Sequence, residues 1–286
     1  MANGTGQPMA PGGGVGRGND ALSRAMFALN SQRPNEAERI AGEVLKADPR
    51  HARALHIFGC ALLMQGRARD AIAPLETAAR GQHDPEINTQ LAVAFRLTGR
   101  HDDALSRLKR ATKRQPPYAE AFRELGSLLV EMERYDEAIE ALGRGLEVAP
   151  MISDLSIQLG YIFLSRRNCA DARVAFARAL DISPGSFTAL YGMAKAHQEV
   201  GECQTAAEYF RRCLTIRPDD AGLWLNLGQC LLEFGQRDAG YECFRTAASD
   251  DSKRYGNALA SLVRSGRGRF WLKPSAAERY LQGTKI

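Results

Sequence analysis

A 34-residue period runs through most of this chain, and few folds accommodate one. Its clearest copy is Ala119 to Ile152, AEAFRELGSLLVEMERYDEAIEALGRGLEVAPMI. There Leu125, Gly126, Leu129, Ala138, Leu142, Gly145 and Pro150 fall where two antiparallel helices would meet, small residues at the close crossings and large ones between. The small residue of the first helix recurs as Ala25, Gly59, Ala92, Gly126, Gly160, Ala194 and Gly228, at spacings of 34 or 33. Twelve residues later comes Ala37, Ala71, Ala104, Ala138, Ala172, Ala206 or Gly240, and seven later again Val44, Ala78, Ala111, Gly145, Ala179, Cys213 or Ala247. Between those two sits a mostly bulky residue: Ala41, Leu75, Leu108, Leu142, Phe176, Phe210 or Phe244. Such a side chain fills the space beside a close helix crossing. Pro49, Pro116, Pro150, Pro184 and Pro218 close five copies, since proline ends one helix and stiffens the link to the next.

Local chemistry points the same way. Asn35-Glu36, Asp102-Asp103 and Asp136-Glu137 stand at the start of second helices, where they are expected to cap free N–H groups and suit the helix dipole. Asp84-Pro85 and Ser153 are expected to open first helices similarly. Gly66, Gly99, Gly201 and Gly235 supply the turn between helices, where a positive φ costs glycine nothing.

The pattern resembles the tetratricopeptide repeat family. Its signature of Trp, Leu-Gly, Tyr, Ala, Phe, Ala and Pro is matched by Trp224, Leu227, Gly228, Phe244 and Ala247 in the last copy. The likeness covers roughly residues 18 to 252. The first copy departs at Arg24-Ala25, and the last has Gly240 for Ala and Ser252 for Pro, as terminal repeats often do. The resemblance implies an all-α fold: a right-handed superhelical α-solenoid of about seven helix-turn-helix repeats starting near 18, 52, 85, 119, 153, 187 and 221. Residues 1–17, rich in glycine, read as a flexible leader. Their GxGxG run lacks the preceding strand and the third glycine of a phosphate-binding loop. Residues 253–286 read as a capping helix, with Tyr255, Leu259, Leu262 and Val263 on one face, followed by a basic segment.

The resemblance also places a binding groove on the first helices. Residues at the second, fifth, ninth, twelfth and thirteenth places face it, among them His56, Arg96, Arg123, Ser127, Tyr161, Tyr191, Lys195 and Gln229. Aromatic and arginine side chains dominate binding hot spots, which favours Arg96, Arg123, Tyr161 and Tyr191. The Lys–Asn pair with which some members clamp an acidic C-terminus is missing: the fifth and ninth places hold His56 with Cys60, Arg123 with Ser127, and Tyr191 with Lys195. An asparagine ladder at the sixth place is represented only by Asn226.

Other chemistries find little support. His56, Cys60 and Met64 share a helix face but span two turns, about 12 Å, too far for one ion. No metal and no cofactor is therefore expected. Six cysteines without a CxxC pair indicate a reducing compartment, and the absence of an apolar leader or span indicates a cytoplasmic protein. The net charge of +5 is uneven: from Lys253 on, eight Lys and Arg face Glu278 alone, leaving about −2 for the rest. Arg264, Arg267, Arg269 and Lys273, interleaved with Phe270 and Trp271, could stack a base, or could simply be a cap anchored by its aromatics. Arg107, Lys109, Arg110, Lys113 and Arg114 form a basic cluster on a second helix, read as a solvated face. There is no HExxH, P-loop or GxSxG, and the five histidines are scattered. The expected function is a non-enzymatic scaffold or adaptor holding a protein's peptide or helix in the groove, with nucleic acid disfavoured. The alternative is an accessory module that presents substrate to a separate sulfotransferase or glycosyltransferase chain.

Overall fold

A computed structural model describes residues 14–80, 84–114 and 117–248, with side chains from residue 20 onward. The leader's first thirteen residues, the capping helix and the basic C-terminal segment lie outside the described residues. Among the described residues every regular element is an α-helix. Two compact units divide the chain, Met1–Arg134 and Tyr135–Ile286.

The first unit holds α1 (Gly14–Asn30), α2 (Pro34–Ala47), α3 (Ala52–Met64), α4 (Ala68–Ala79), α5 (Pro85–Leu97), α6 (His101–Ala111) and α7 (Ala119–Glu131). α1 reaches into the stretch read as a leader; its glycines weaken a helix by about 1 kcal/mol each relative to alanine but do not forbid one. The second unit holds α8 (Tyr135–Val148), α9 (Ser153–Ser165), α10 (Cys169–Ile182), α11 (Phe187–Glu199), α12 (Cys203–Ile216), α13 (Ala221–Glu233) and α14 (Arg237–Ala248). In each unit a helix packs on its sequence neighbour, and first helices also meet two along: α1 with α3, α3 with α5, α5 with α7, and α9 with α11.

The core is built from the small and bulky positions of the repeat. Leu75, Leu108, Leu142, Phe176, Phe210 and Phe244 are fully buried. Space for them comes from missing side chains: a Cβ on Gly59 would lie 2.5 Å from Leu75, and one on Gly160 or Gly192 would lie 2.5 or 2.3 Å from the Phe176 ring. In the last pair, Gly228 and Gly240 bring two backbones together, a Cβ on either meeting the other's carbonyl oxygen at 3.0 Å. This close approach accounts for glycine at 240, where other repeats have alanine.

Every first helix ends the same way. The residues at 32, 66, 99, 133, 167, 201 and 235 all have positive φ. At each such end a backbone N–H reaches back five residues, as Arg67 does to Leu62 (2.9 Å) and Asn168 to Phe163 (2.9 Å). Four of the seven are glycine, but Gln32, Glu133 and Arg167 hold φ 58 with a side chain attached. A left-handed non-glycine residue costs roughly 1–2 kcal/mol, partly offset by glycine's greater freedom in the unfolded chain. Glu133→Gly and Arg167→Gly, both at exposed positions, are each expected to raise stability by about 0.5–1 kcal/mol. Urea midpoints followed by circular dichroism would show it, and a lowered midpoint would refute the strain.

Helix starts differ from expectation in part. Asp84 caps α5, its Oδ1 accepting from the Glu86 N–H at 2.8 Å. Asp220 caps α13 (2.9 Å to the Gly222 N–H), Ser186 caps α11, and His51 caps α3 through Nδ1 (3.3 Å to the Ala54 N–H). Ser153, however, is already inside α9; its N-cap is Ile152, which makes no side-chain cap. Likewise α2 and α6 begin after Arg33 and Arg100, so Asn35-Glu36 and Asp102-Asp103 lie within the first turn rather than at the cap. The acids there serve the dipole and pair back with the preceding arginine, Arg33 with Glu36 at 2.8 Å and Arg100 with Asp103 at 2.7 Å.

Candidate functional site

The first-helix faces differ in character between the two units. In the first unit, α5 and α7 carry a network of charge. Arg96 donates to Glu131 Oε1 (2.5 Å) and Glu124 Oε2 (3.3 Å). Arg123 donates through Nε to both Glu120 oxygens (2.9 Å) and through Nη2 to Glu124. Glu124 is thus shared by two guanidiniums, with its side chain only 6% exposed. Charge-assisted bonds of this kind fix both arginines in place. Glu124 was not foreseen as part of the site. The available signal was a carboxylate at the sixth helix place, which elsewhere holds Ser23, Ile57, Gln90, Gln158, Gly192 or Asn226. Ser127, one turn beyond Arg123, is half-buried.

His56 proves to be core rather than open wall, because α3 turns it inward and leaves it 6% exposed. Its Nε2 has no hydrogen-bond partner. Burial holds the imidazole below its usual pKa, against the pull of Glu86 and Asp84. The same environment pushes the Cys60 thiol and the Tyr118 hydroxyl up to about 12 each, burial first and Glu86 second. Such a thiol is protonated at neutral pH and a poor nucleophile.

In the second unit the face is aromatic and polar. Tyr161 donates from its hydroxyl to the Thr188 carbonyl (3.0 Å) and sets its ring edge-on to Phe176 (5.1 Å between centroids). Tyr191 stacks on Phe187 at 6.2 Å and meets Phe210 edge-on at 6.1 Å, while the Arg217 guanidinium lies 3.8 Å over Phe187. Burial, then Tyr191, raises the Tyr161 hydroxyl to about 12. Lys195 donates from Nζ to Gln198 Oε1 (2.7 Å). A hollow of about 270 Å³ brings Lys195 and Gln198 together with Glu199, Cys203, Gln229 and Glu233. Lys195 and Gln229, expected separately from the sequence, therefore line the same hollow. Seven of the eight expected residues are half-buried or exposed, and His56 alone is buried.

Tetratricopeptide repeat models match the sequence at residues 22–86, 89–131 and 123–187, and again at 199–262. The chain belongs to the tetratricopeptide repeat family. Its fold is similar to that of pilF from Pseudomonas aeruginosa (TM-score 0.61, 15% identity, 70% of this chain and 92% of that one). It is likewise similar to a tetratricopeptide repeat protein of Parabacteroides merdae (TM-score 0.58, 16% identity, 85% and 98%). The Cut9–Hcn1 hetero-tetramer of the APC/C gives a third likeness (TM-score 0.64, 14% identity, 91% and 48%). At these identities the likeness concerns the fold alone. A comparison with curated proteins found no match. Among the described residues no tetratricopeptide helix is long and apolar enough to cross a membrane, and no three His, Cys, Asp or Glu side chains gather as metal ligands.

Proposed function

We propose that this tetratricopeptide repeat protein is a non-enzymatic scaffold whose first-helix faces hold a peptide or helix of another protein. The observation that carries this reading is the pairing of Lys195 and Gln229 in one solvent-facing hollow, where neither side chain is needed by the core. The other side chains on these faces support it: Arg96 and Arg123 are braced by Glu124, and Tyr161 is tethered to a backbone carbonyl. Groups held this way lose little freedom on binding, which is how rigid helices turn side chains into anchors. Such faces suit an extended or helical ligand better than a small substrate.

Changing Lys195 and Gln229 together to alanine is expected to weaken partner capture about tenfold, within the range of single binding anchors, without moving the thermal midpoint. The measurement is affinity purification from the native cell with mass spectrometry, original and variant side by side. Recovery of the same proteins in the same amounts would sink the proposal. A transferase among proteins lost with the variant would make this an accessory module of that enzyme.

A further inference from the structure

Two of the six cysteines stand side by side. Cys203 is the first residue of α12 and Cys230 lies within α13, the two helices belong to neighbouring repeats, and the thiols are within side-chain hydrogen-bonding reach of each other. Both line the hollow that also holds Lys195 and Gln229, where Cys203 Sγ lies 3.9 Å from Glu233 Oε2. Cys203 packs on the apolar cluster to which Cys230 belongs. The repeat does not dictate this juxtaposition. Cys169 holds the same place in α10, but the place of Cys230 is taken there by Ala196, and by Ala61 and Ala94 in the first unit. A small apolar side chain satisfies the core at this place, so packing alone does not call for a second sulfur beside Cys203.

The pair is unequal. Cys203 is partly exposed, whereas Cys230 is buried, and burial first, then Cys203 and Glu233, pushes the Cys230 thiol up to about 12. A small solute entering the hollow therefore meets Cys203 first, with Cys230 behind it. Cys60, the other partly exposed cysteine, is governed by its burial and by Glu86.

We propose that Cys203 and Cys230 form a reversible dithiol–disulfide site, oxidised by a hydroperoxide that enters the hollow. The Cys203 sulfur attacks one peroxide oxygen and the O–O bond breaks, leaving a Cys203 sulfenic acid and releasing, from hydrogen peroxide, one water. The Cys230 sulfur then attacks the sulfenic sulfur; the S–S bond forms, the S–O bond breaks, and the departing hydroxide takes the Cys230 proton as a second water. Two thiols and one peroxide thus give one disulfide and two waters, sulfur being oxidised and oxygen reduced. The second step is the slow one because Cys230 stays protonated, and the nearness of the two sulfurs offsets that in part. The new bond ties α12 to α13 across the junction of two repeats and takes the Cys203 thiol away from Glu233. This site stands on the two thiols and does not depend on the scaffold reading.

The experiment takes the full chain, reduced and then freed of reductant, and exposes it for several hours to excess hydrogen peroxide before the remaining thiols are alkylated and counted by mass spectrometry. The expected product is a monomer with two fewer alkylated thiols than the six of the reduced chain, tandem spectra placing the bond between Cys203 and Cys230. Dithiothreitol is expected to restore all six. Cys203→Ser, a near-isosteric change at a partly exposed position, is expected to abolish the bond. Cys230→Ala, which installs the residue found at this place in other repeats, is expected to leave a Cys203 sulfenic acid that dimedone traps. Circular dichroism would verify that both variants keep their helices. Three results would each overturn the proposal: all six thiols alkylated after peroxide, Cys203 carried on to a sulfinic acid with Cys230 still alkylated, or Cys203 bonded to any other cysteine of the same or a second chain. The Lys195 and Gln229 capture experiment decides the scaffold reading separately.

Discussion

Phe176→Ala is expected to lower the unfolding free energy by about 3–5 kcal/mol, the range for emptying a fully buried aromatic site. Phe176 is fully buried in a cluster with Ala172, Met193 and Ala196; Tyr161 meets it edge to face, and Tyr209 packs against the cluster. Two glycines, Gly160 and Gly192, exist at positions where any side chain would enter its ring. Neither glycine has a side chain that could move into the void, so the cavity stays largely open. A urea midpoint measured by circular dichroism would report the loss, and a change under about 1 kcal/mol would mean that the ring is not the wedge described here.

The converse substitution should be nearly as damaging. Gly192→Ala puts a methyl group 2.3 Å from the Phe176 ring, and Gly160→Ala puts one at 2.5 Å. Each is expected to cost about 1–3 kcal/mol, the usual penalty for overpacking. The upper end is expected because the ring is confined from both sides and cannot swing away from one glycine without striking the other. Shortening the obstacle should relieve the strain: Phe176→Leu combined with Gly192→Ala is expected to be less damaging than the sum of the two alone, with a coupling of about 1 kcal/mol or more. Strict additivity in the double-mutant cycle would show that the two residues do not compete for space.

The contrast between Phe176 and His56 shows what was legible in the sequence. Phe176 belongs to a position set by the fold: a large residue is wanted wherever two small ones stand opposite, and the 34-residue period announced that in six of its seven copies, Ala41 being the exception. The turns were legible only in part. Glycine marked four of the seven left-handed residues, but nothing in the types Gln32, Glu133 and Arg167 disclosed that they adopt the same conformation. There the tertiary packing of adjoining helices outweighs a local cost of roughly 1–2 kcal/mol.

The site was less legible than the fold. A helical place can be read from spacing, but the direction a side chain takes there depends on its neighbours. His56 occupies a place that other repeats fill with the outward Arg123 and Tyr191, and it is buried instead. Thr89, at the same place, is also buried, its hydroxyl donating to the Pro85 carbonyl at 2.7 Å. Arg96 and Arg123 were picked out for their chemistry, and both are partly exposed. Their effective charge was hidden, because it depends on Glu124, a residue on the same helix as Arg123 that reaches across to Arg96. Pairing between residues 28 apart in sequence cannot be inferred from either one alone.

Within each unit, the described helices pack chiefly on the one beside them or the next but one. Cooperativity is then a nearest-neighbour affair, closer to a row of coupled switches than to a single crystal that melts at once. Amide exchange should be slowest in the middle of a unit and quicken toward its edges, and a lesion at Phe176 should speed exchange in α9 to α11 while leaving remote helices almost untouched. A ligand laid across several first helices would do the opposite, fastening switches that otherwise flip separately, so that capture of a partner would register as a sharper as well as a later thermal transition.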